Sequence, residues 1–157
     1  MPRLEIISVE DGFCRGMLED LKQYASIPDD SRDAMLQRIL RNAALRVQES
    51  ADRPFLATTL KVTAAVPEGT GIIRLYMGGG DIVSCQDAGG GSVPFDPLPG
   101  GRLLVYKRGV PVSVTYTTVP TDGDRDALYH TVLRYATADY DGAETSELNQ
   151  ILTEARQ

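Results

Sequence analysis

The chain has 157 residues, 42% of them hydrophobic, and a net charge of −6 from 16 basic and 22 acidic side chains. A chain of this length fits one domain and removes roughly 70% of its extended surface from water, enough for a real core. With a mean hydropathy of −0.19 and no run approaching the ~18–20 apolar residues of a spanning helix, a membrane protein is excluded. An acidic chain also has no general attraction for phosphate backbones.

In chain order, Leu4 to Val9 reads as a short extended segment, and a breaker follows around Asp11-Gly12 and Gly16. Residues 1–16 therefore count as an N-terminal extension. They carry Arg3 but also Glu5 and Glu10, and lack the apolar core and cleavage site of a secretory signal, so cytosolic residence is expected. Residues 17–53 read as two helices. Met17 to Ala25 aligns Leu18, Leu21 and Ala25, and Ser26-Ile27-Pro28 ends it. Asp29-Asp30-Ser31 offers oxygens to cap the next helix. From Arg32 to about Ala51, Met35, Leu36, Ile39, Leu40, Ala43, Ala44 and Val47 recur at the spacing of an amphipathic helix. Arg38, Arg41, Gln48 and Glu49 are expected on its water-facing side, and Pro54 is expected to end it.

Residues 58–119 change rhythm to extended. Runs are predicted over Thr59 to Val66, Gly71 to Met77, Asp81 to Gln86, Arg102 to Tyr106 and Val110 to Val119. Gly78–Gly80 closes the second run, Gly89–Gly91 and a loop with Pro94, Pro97 and Pro99 follow the third, and Lys107-Arg108-Gly109 is expected to turn between the last two. Short runs joined by tight turns predict antiparallel hairpins, because parallel strands need long crossovers. Residues 122–157 return to helix. Leu128, Val132, Tyr135 and Ala136 form a stripe widened by Tyr129, Leu133 and Tyr140. After Asp141-Gly142, Glu144 to Ala155 aligns Leu148, Ile151, Leu152 and Ala155. The fold class predicted is α+β: a single domain, two N-terminal and two C-terminal helices, with an inserted antiparallel sheet. No internal repeat is visible.

The acidity is uneven. Residues 1–54 carry 8 basic and 10 acidic side chains, residues 55–121 carry 5 and 4, and residues 122–157 carry 3 and 8. No catalytic, cofactor or metal site is predicted. His130 is the only histidine and is expected on a helix near the apolar stripe; Cys14 and Cys85 are expected to be reduced and structural, with no zinc spacing. The glycine triplets lack the spacings of phosphate loops. Asp29/Asp30 and Asp122/Asp124 open helices, where acids complement the dipole, and the second pair lacks the closing Glu of a calcium loop. Arg38, Arg41 and Arg46 could form a basic face, against the simpler reading of a solvated helix face.

Several segments then point to a family. Leu18-Glu19-Asp20-Leu21-Lys22-Gln23-Tyr24, Ile27-Pro28-Asp29-Asp30 with Asp33, and Leu36, Ile39, Leu40, Ala43, Val47 and Glu49 resemble the N-terminal signature of head-tail connector (adaptor) proteins of tailed bacteriophages. Val112 to Thr117 resembles the last strand of that family. Val119-Pro120, Asp126-Ala127-Leu128, Leu133 and Ala136 to Tyr140 resemble its first C-terminal helix, and Leu148 to Arg156 its closing helix. The likeness spans about residues 17–157. Residues 1–16 have no obvious counterpart, Thr118 stands where a glycine often follows the last strand's tyrosine, and residues 89–91 add glycines.

The resemblance implies a structural protein of the virion neck, assembled in the host cytoplasm, with no enzyme activity and no cofactor. It implies a ring of identical copies, often a dodecamer, beneath the portal protein. Such a ring extends the channel through which double-stranded DNA passes without specific binding, and presents a platform to the next head-completion or tail component. The apolar line Leu148, Ile151, Leu152 is the expected portal-docking surface, and the two glycine triplets are expected to order on assembly. The alternative is a small ligand-binding or nucleic-acid-binding regulatory domain of prophage origin.

Overall fold

A computed structural model describes residues 2–156 and confirms the α+β class. Its backbone forms two compact units, one from the residues up to Val9 with Ala57–Val119, the other from Glu10–Leu56 with Pro120 onward.

The first unit is all β. Strands β1 (Arg3–Val9), β2 (Thr58–Ala65), β7 (Pro111–Thr118) and β4 (Asp81–Asp87) form a sheet in the order β1-β2-β7-β4. Strands β3 (Ile72–Arg74), β6 (Arg102–Val105) and β5 (Phe95–Leu98) form a second sheet in the order β3-β6-β5. Every pairing is antiparallel, as expected. Alternation along β2 and β7 buries Leu60, Val62, Val112, Val114 and Tyr116, which share one core with Ile73, Leu103 and Val105 of the second sheet. The other face of the four-stranded sheet pairs hydroxyls across strands, Thr59 with Thr117 at 3.2 Å and Thr63 with Ser113 at 3.0 Å.

Four expectations are corrected here. The extended segment at the N-terminus is not an appendage, because β1 pairs along β2 from Arg3↔Thr63 to Val9↔Thr58. Lys107-Arg108-Gly109 is not a hairpin turn, because β6 and β7 belong to different sheets; among the strands of residues 58–119 only β5 and β6 are both consecutive and paired. The proline-rich loop contains β5, whose Pro97 is tolerated because β5 is an edge strand. The second run is extended only over Ile72–Arg74 and then enters a tight turn at Tyr76–Gly78. The buried Tyr116 hydroxyl holds that turn, accepting from the Tyr76 N–H at 2.8 Å and donating to its carbonyl at 3.2 Å.

The second unit is helical: α1 (Gly12–Gly16), α2 (Leu18–Ala25), α3 (Asp33–Ala51), α4 (Asp122–Tyr140) and α5 (Thr145–Ala155). Its core takes Leu21 from α2, Leu36, Leu40, Ala43, Ala44 and Val47 from α3, and Leu128, Val132, Leu133, Tyr135 and Ala136 from α4. α1 replaces the expected breaker. One turn is too short to stand on its own, but Phe13 meets the Phe55 and Tyr129 rings edge-on at 5.3 and 6.2 Å, and the Arg125 guanidinium lies 3.9 Å over the Phe13 ring.

The ends of α3 also differ from the sequence reading. Asp29 does not cap the helix; it accepts from the Ser31 N–H at 3.1 Å and hydroxyl at 2.7 Å, closing a local turn. Asp30 instead meets the buried Lys22 ammonium at 2.5 Å, as does Asp33. Gln48 is not on the water-facing side. It is fully buried, and its side-chain oxygen accepts from the N–H groups of Phe55 and Leu56, both at 3.1 Å. α3 stops on a left-handed Asp52 (φ 49°), before Pro54 is reached. α4 opens as expected on acids: Asp124 N–H donates to the Thr121 hydroxyl and the Thr121 N–H donates back to the Asp124 carboxylate, a capping box.

Candidate functional site

Reaction chemistry at a cysteine needs an accessible, activated thiol, and neither cysteine supplies one. Cys14 is 4% exposed, and burial, reinforced by the Glu10 carboxylate, pushes its thiol up to about 11. Cys85 is equally buried and its thiol is raised by the same cause. Neither is a thiolate near neutral pH. His130 is exposed on α4 and stacks edge-on against Tyr24 at 5.6 Å. Among the described residues, no three His, Cys, Asp or Glu side chains are placed to hold a metal ion, and no helix is long and apolar enough to cross a membrane.

The glycine triplets have structural work within the β unit. A Cβ at Gly80 would lie 2.0 Å from the Thr117 carbonyl oxygen, and one at Gly101 would lie 2.7 Å from the Gly78 carbonyl carbon. Here backbone packs directly on backbone, which only glycine permits. In the second triplet the donors that a phosphate would need are already used. The Asp87 carboxylate accepts from the N–H groups of Gly89 (3.0 Å) and Gly91 (2.9 Å) and from Lys107 Nζ (2.8 Å). The Lys107 bond, followed by the Gly91 N–H, holds the Asp87 carboxyl below its ordinary value. Both triplets thus take part in defined turns of the β unit.

What the helical unit does present is charged surface. Its 10 basic and 17 acidic side chains give a net charge of −7, against +1 for the β unit. Arg38 and Arg41 share a cleft of about 340 Å³ along α1 and the first half of α3 with Asp11, Cys14 and Arg15, while Arg46 does not line it. Asp11 meets Arg41 at 3.1 Å and, at 4.0 Å, Arg15. The sequence reading missed Arg15 because it took residues 12–16 for a breaker; the four-residue spacing of Asp11 and Arg15 was the available signal. A second cleft of about 550 Å³ runs past α2, α4 and α5, its wall including Tyr24, Arg134, Asp141, Glu144, Glu147 and Ile151.

The expected docking line on α5 is divided by its environment. Ile151 is 5% exposed, whereas Leu148 and Leu152 are half-buried. The Ser50 hydroxyl donates to the Leu152 carbonyl at 2.8 Å, Arg156 donates to the Ser50 oxygen at 3.1 Å, and Arg134 pairs with Glu154. α5 is therefore fastened to both α3 and α4, and Ile151 is spent on that packing.

No known family profile and no curated protein matches the sequence. Solved structures do match the fold. A chain in the neck of an empty GTA particle, computed with C6 symmetry, aligns over 99% of this chain and 95% of its own length with a TM-score of 0.70 at 11% identity. The chain has the fold of a particle-neck protein. The same likeness holds for the neck of a native GTA particle computed with C12 symmetry, at a TM-score of 0.65, 12% identity, and 99% and 95% coverage. It holds also for the virion of a native gene transfer agent particle, at a TM-score of 0.65, 13% identity, and 98% and 95% coverage. Identity this low carries the fold and not the surface chemistry.

Proposed function

We propose that this protein is a structural component of the neck of a phage-like particle, a head-tail connector and not an enzyme. The observation that carries the reading is end-to-end agreement with neck chains, which leaves only a few residues of either chain unmatched. The residue-level resemblance of 17–157 to head-tail connectors supports it independently, and so do the buried thiols and the 89–91 turn, whose Gly89 and Gly91 N–H groups bond Asp87.

In this reading residues 1–157 act as one domain, and identical copies form a ring below the portal protein. The C6 and C12 symmetry of the related necks supports a ring, and a closed ring demands two unlike, mutually complementary faces on each copy. The ring continues the DNA channel and receives the next head-completion or tail component. A net charge of −6 lets double-stranded DNA pass without adhering. Assembly takes place in the host cytoplasm and the product resides in the virion neck. Leu148 and Leu152, backed by the buried Ile151, form the portal-docking line.

The test is mass measurement of the purified chain alone and with the portal protein of the same genome, followed by negative-stain imaging. Rings on the portal are expected. A chain that neither oligomerises nor binds portal, or that holds duplex DNA with strong salt dependence, overturns the proposal.

A further inference from the structure

The helical unit carries two charged patches of opposite sign that its own fold leaves open. In the cleft along α1 and α3, Arg38 has no ion-pair partner among the described residues, and Arg15 is 68% exposed and only loosely paired, at 4.0 Å, with Asp11. At the corner between α4 and α5, Asp141, Glu144 and Glu147 are all exposed and likewise without an ion-pair partner among the described residues. The two patches do not share a side of α3. Ser50, which bonds α5, follows Arg41 by nine residues, and nine residues are about 2.5 turns of an α-helix. The α5 flank and the arginine flank are therefore on opposite sides of α3.

We infer that the Arg15–Arg38–Arg41 cleft of one copy receives the Asp141–Glu144–Glu147 corner of the next copy around the ring. The inference rests on the ring reading above and names the contact that closes it. Three observations choose a second copy as the occupant. The cleft's three guanidinium groups outnumber its one carboxylate, Asp11, and the corner's three carboxylates are opposite in sign. The patches are on opposed flanks of one body, which is what a head-to-tail contact uses. The cleft's lining also includes Cys14 and Ala34, apolar surface suited to the stems and methyl groups of a protein corner. Duplex DNA fits less well, because a helical unit of net charge −7 repels it at range and Asp11 stands between two of the arginines.

The experiment uses two full-length variants that each reverse one patch. Arg15→Glu/Arg38→Glu reverses the cleft and keeps the Asp11–Arg41 pair. Asp141→Lys/Glu147→Lys reverses the corner, and the first of these changes puts a cation at the C-terminal end of α4, where the helix dipole favours one. All four positions are exposed, and unchanged far-UV circular dichroism and melting temperature verify the fold. Self-association is read by native mass spectrometry, alone and with portal protein. Each variant by itself opposes like charges and is expected to associate roughly tenfold to a hundredfold more weakly than the parent chain. An equimolar mixture restores association, because the acidic cleft of the first accepts the basic corner of the second, and the unchanged cleft and corner meet as before. The restored rings alternate and hold even numbers of copies, and raising salt from about 0.05 to 0.5 M weakens parent and mixture alike.

If both variants form rings as the parent does, the contact is elsewhere and the inference falls while the ring stands. If the variants fail and the mixture does not recover, the pairing is also wrong. Loss of duplex-DNA affinity in Arg15→Glu/Arg38→Glu with normal rings assigns the cleft to nucleic acid and overturns the inference. A parent chain that forms no ring under any of these conditions removes the ring reading itself.

Discussion

The β unit and the helical unit handle polarity in opposite ways. In the β unit, hydroxyls pair across strands, Asp87 satisfies its own glycine turn, and Tyr116 closes the turn at Tyr76, so polar groups are consumed locally and the net charge is +1. The helical unit, of net charge −7, buries one lysine and one glutamine with dedicated partners and gathers other charged side chains along two surface clefts. Hydrophobic composition alone does not distinguish them; the difference is where polar groups find partners.

The division is sharpest on α5. Ile151→Asp places a carboxylate in the core and is expected to cost about 3–5 kcal/mol, visible as a large fall in the urea midpoint. Leu152→Asp, one residue on, is expected to cost about 1 kcal/mol or less and yet to abolish portal binding. Equal stability losses for the two would erase the distinction between packing and docking residues. In the β unit, Gly80→Ala drives a Cβ toward the Thr117 carbonyl and is expected to cost about 3 kcal/mol or more, measured by thermal unfolding. A neutral result would mean that β4 and β7 are not held at this separation.

Smaller effects test the polar devices of the helical unit. Gln48→Ala removes the acceptor of two buried N–H groups, for an expected loss of about 2 kcal/mol by urea unfolding. Asp124→Asn is expected to cost about 1 kcal/mol at pH 7, through the capping box and the 2.7 Å contact to Arg53. Burial raises the Asp124 carboxyl, but the Arg53 and Thr121 hydrogen bonds outweigh it and hold the group below its ordinary value. A depressed carboxyl stabilises the fold above its unfolded value and loses that contribution as pH falls through the folded one. The gap between Asp124→Asn and the parent chain should therefore close below about pH 4, followed as urea midpoints at pH 7, 5 and 3.

Periodicity and punctuation, which are local, were legible from the residues alone: the α+β class, α2 to α5 to within a residue or two, the antiparallel strands, the acid opening of α4, and a likeness to connectors that the neck structures join from the side of the fold. What lay beyond reach depended on partners distant in the chain. Gln48 and Glu49 look alike as polar residues on a helix, and only the N–H groups of Phe55 and Leu56 make one of them core. Residues 12–16 have no period long enough to read, and become helix because Phe13 finds Phe55, Tyr129 and Arg125. Strand segments announce themselves by alternation, but alternation does not say which strand lies alongside, so the pairing of β1 with β2 and the separation of β6 from β7 were decided in three dimensions. The same holds for the arginines. Sequence grouped Arg38 and Arg41 with Arg46 along one helix, whereas tertiary packing joined them to Arg15 across two, since electrostatics acts through space and not along the chain.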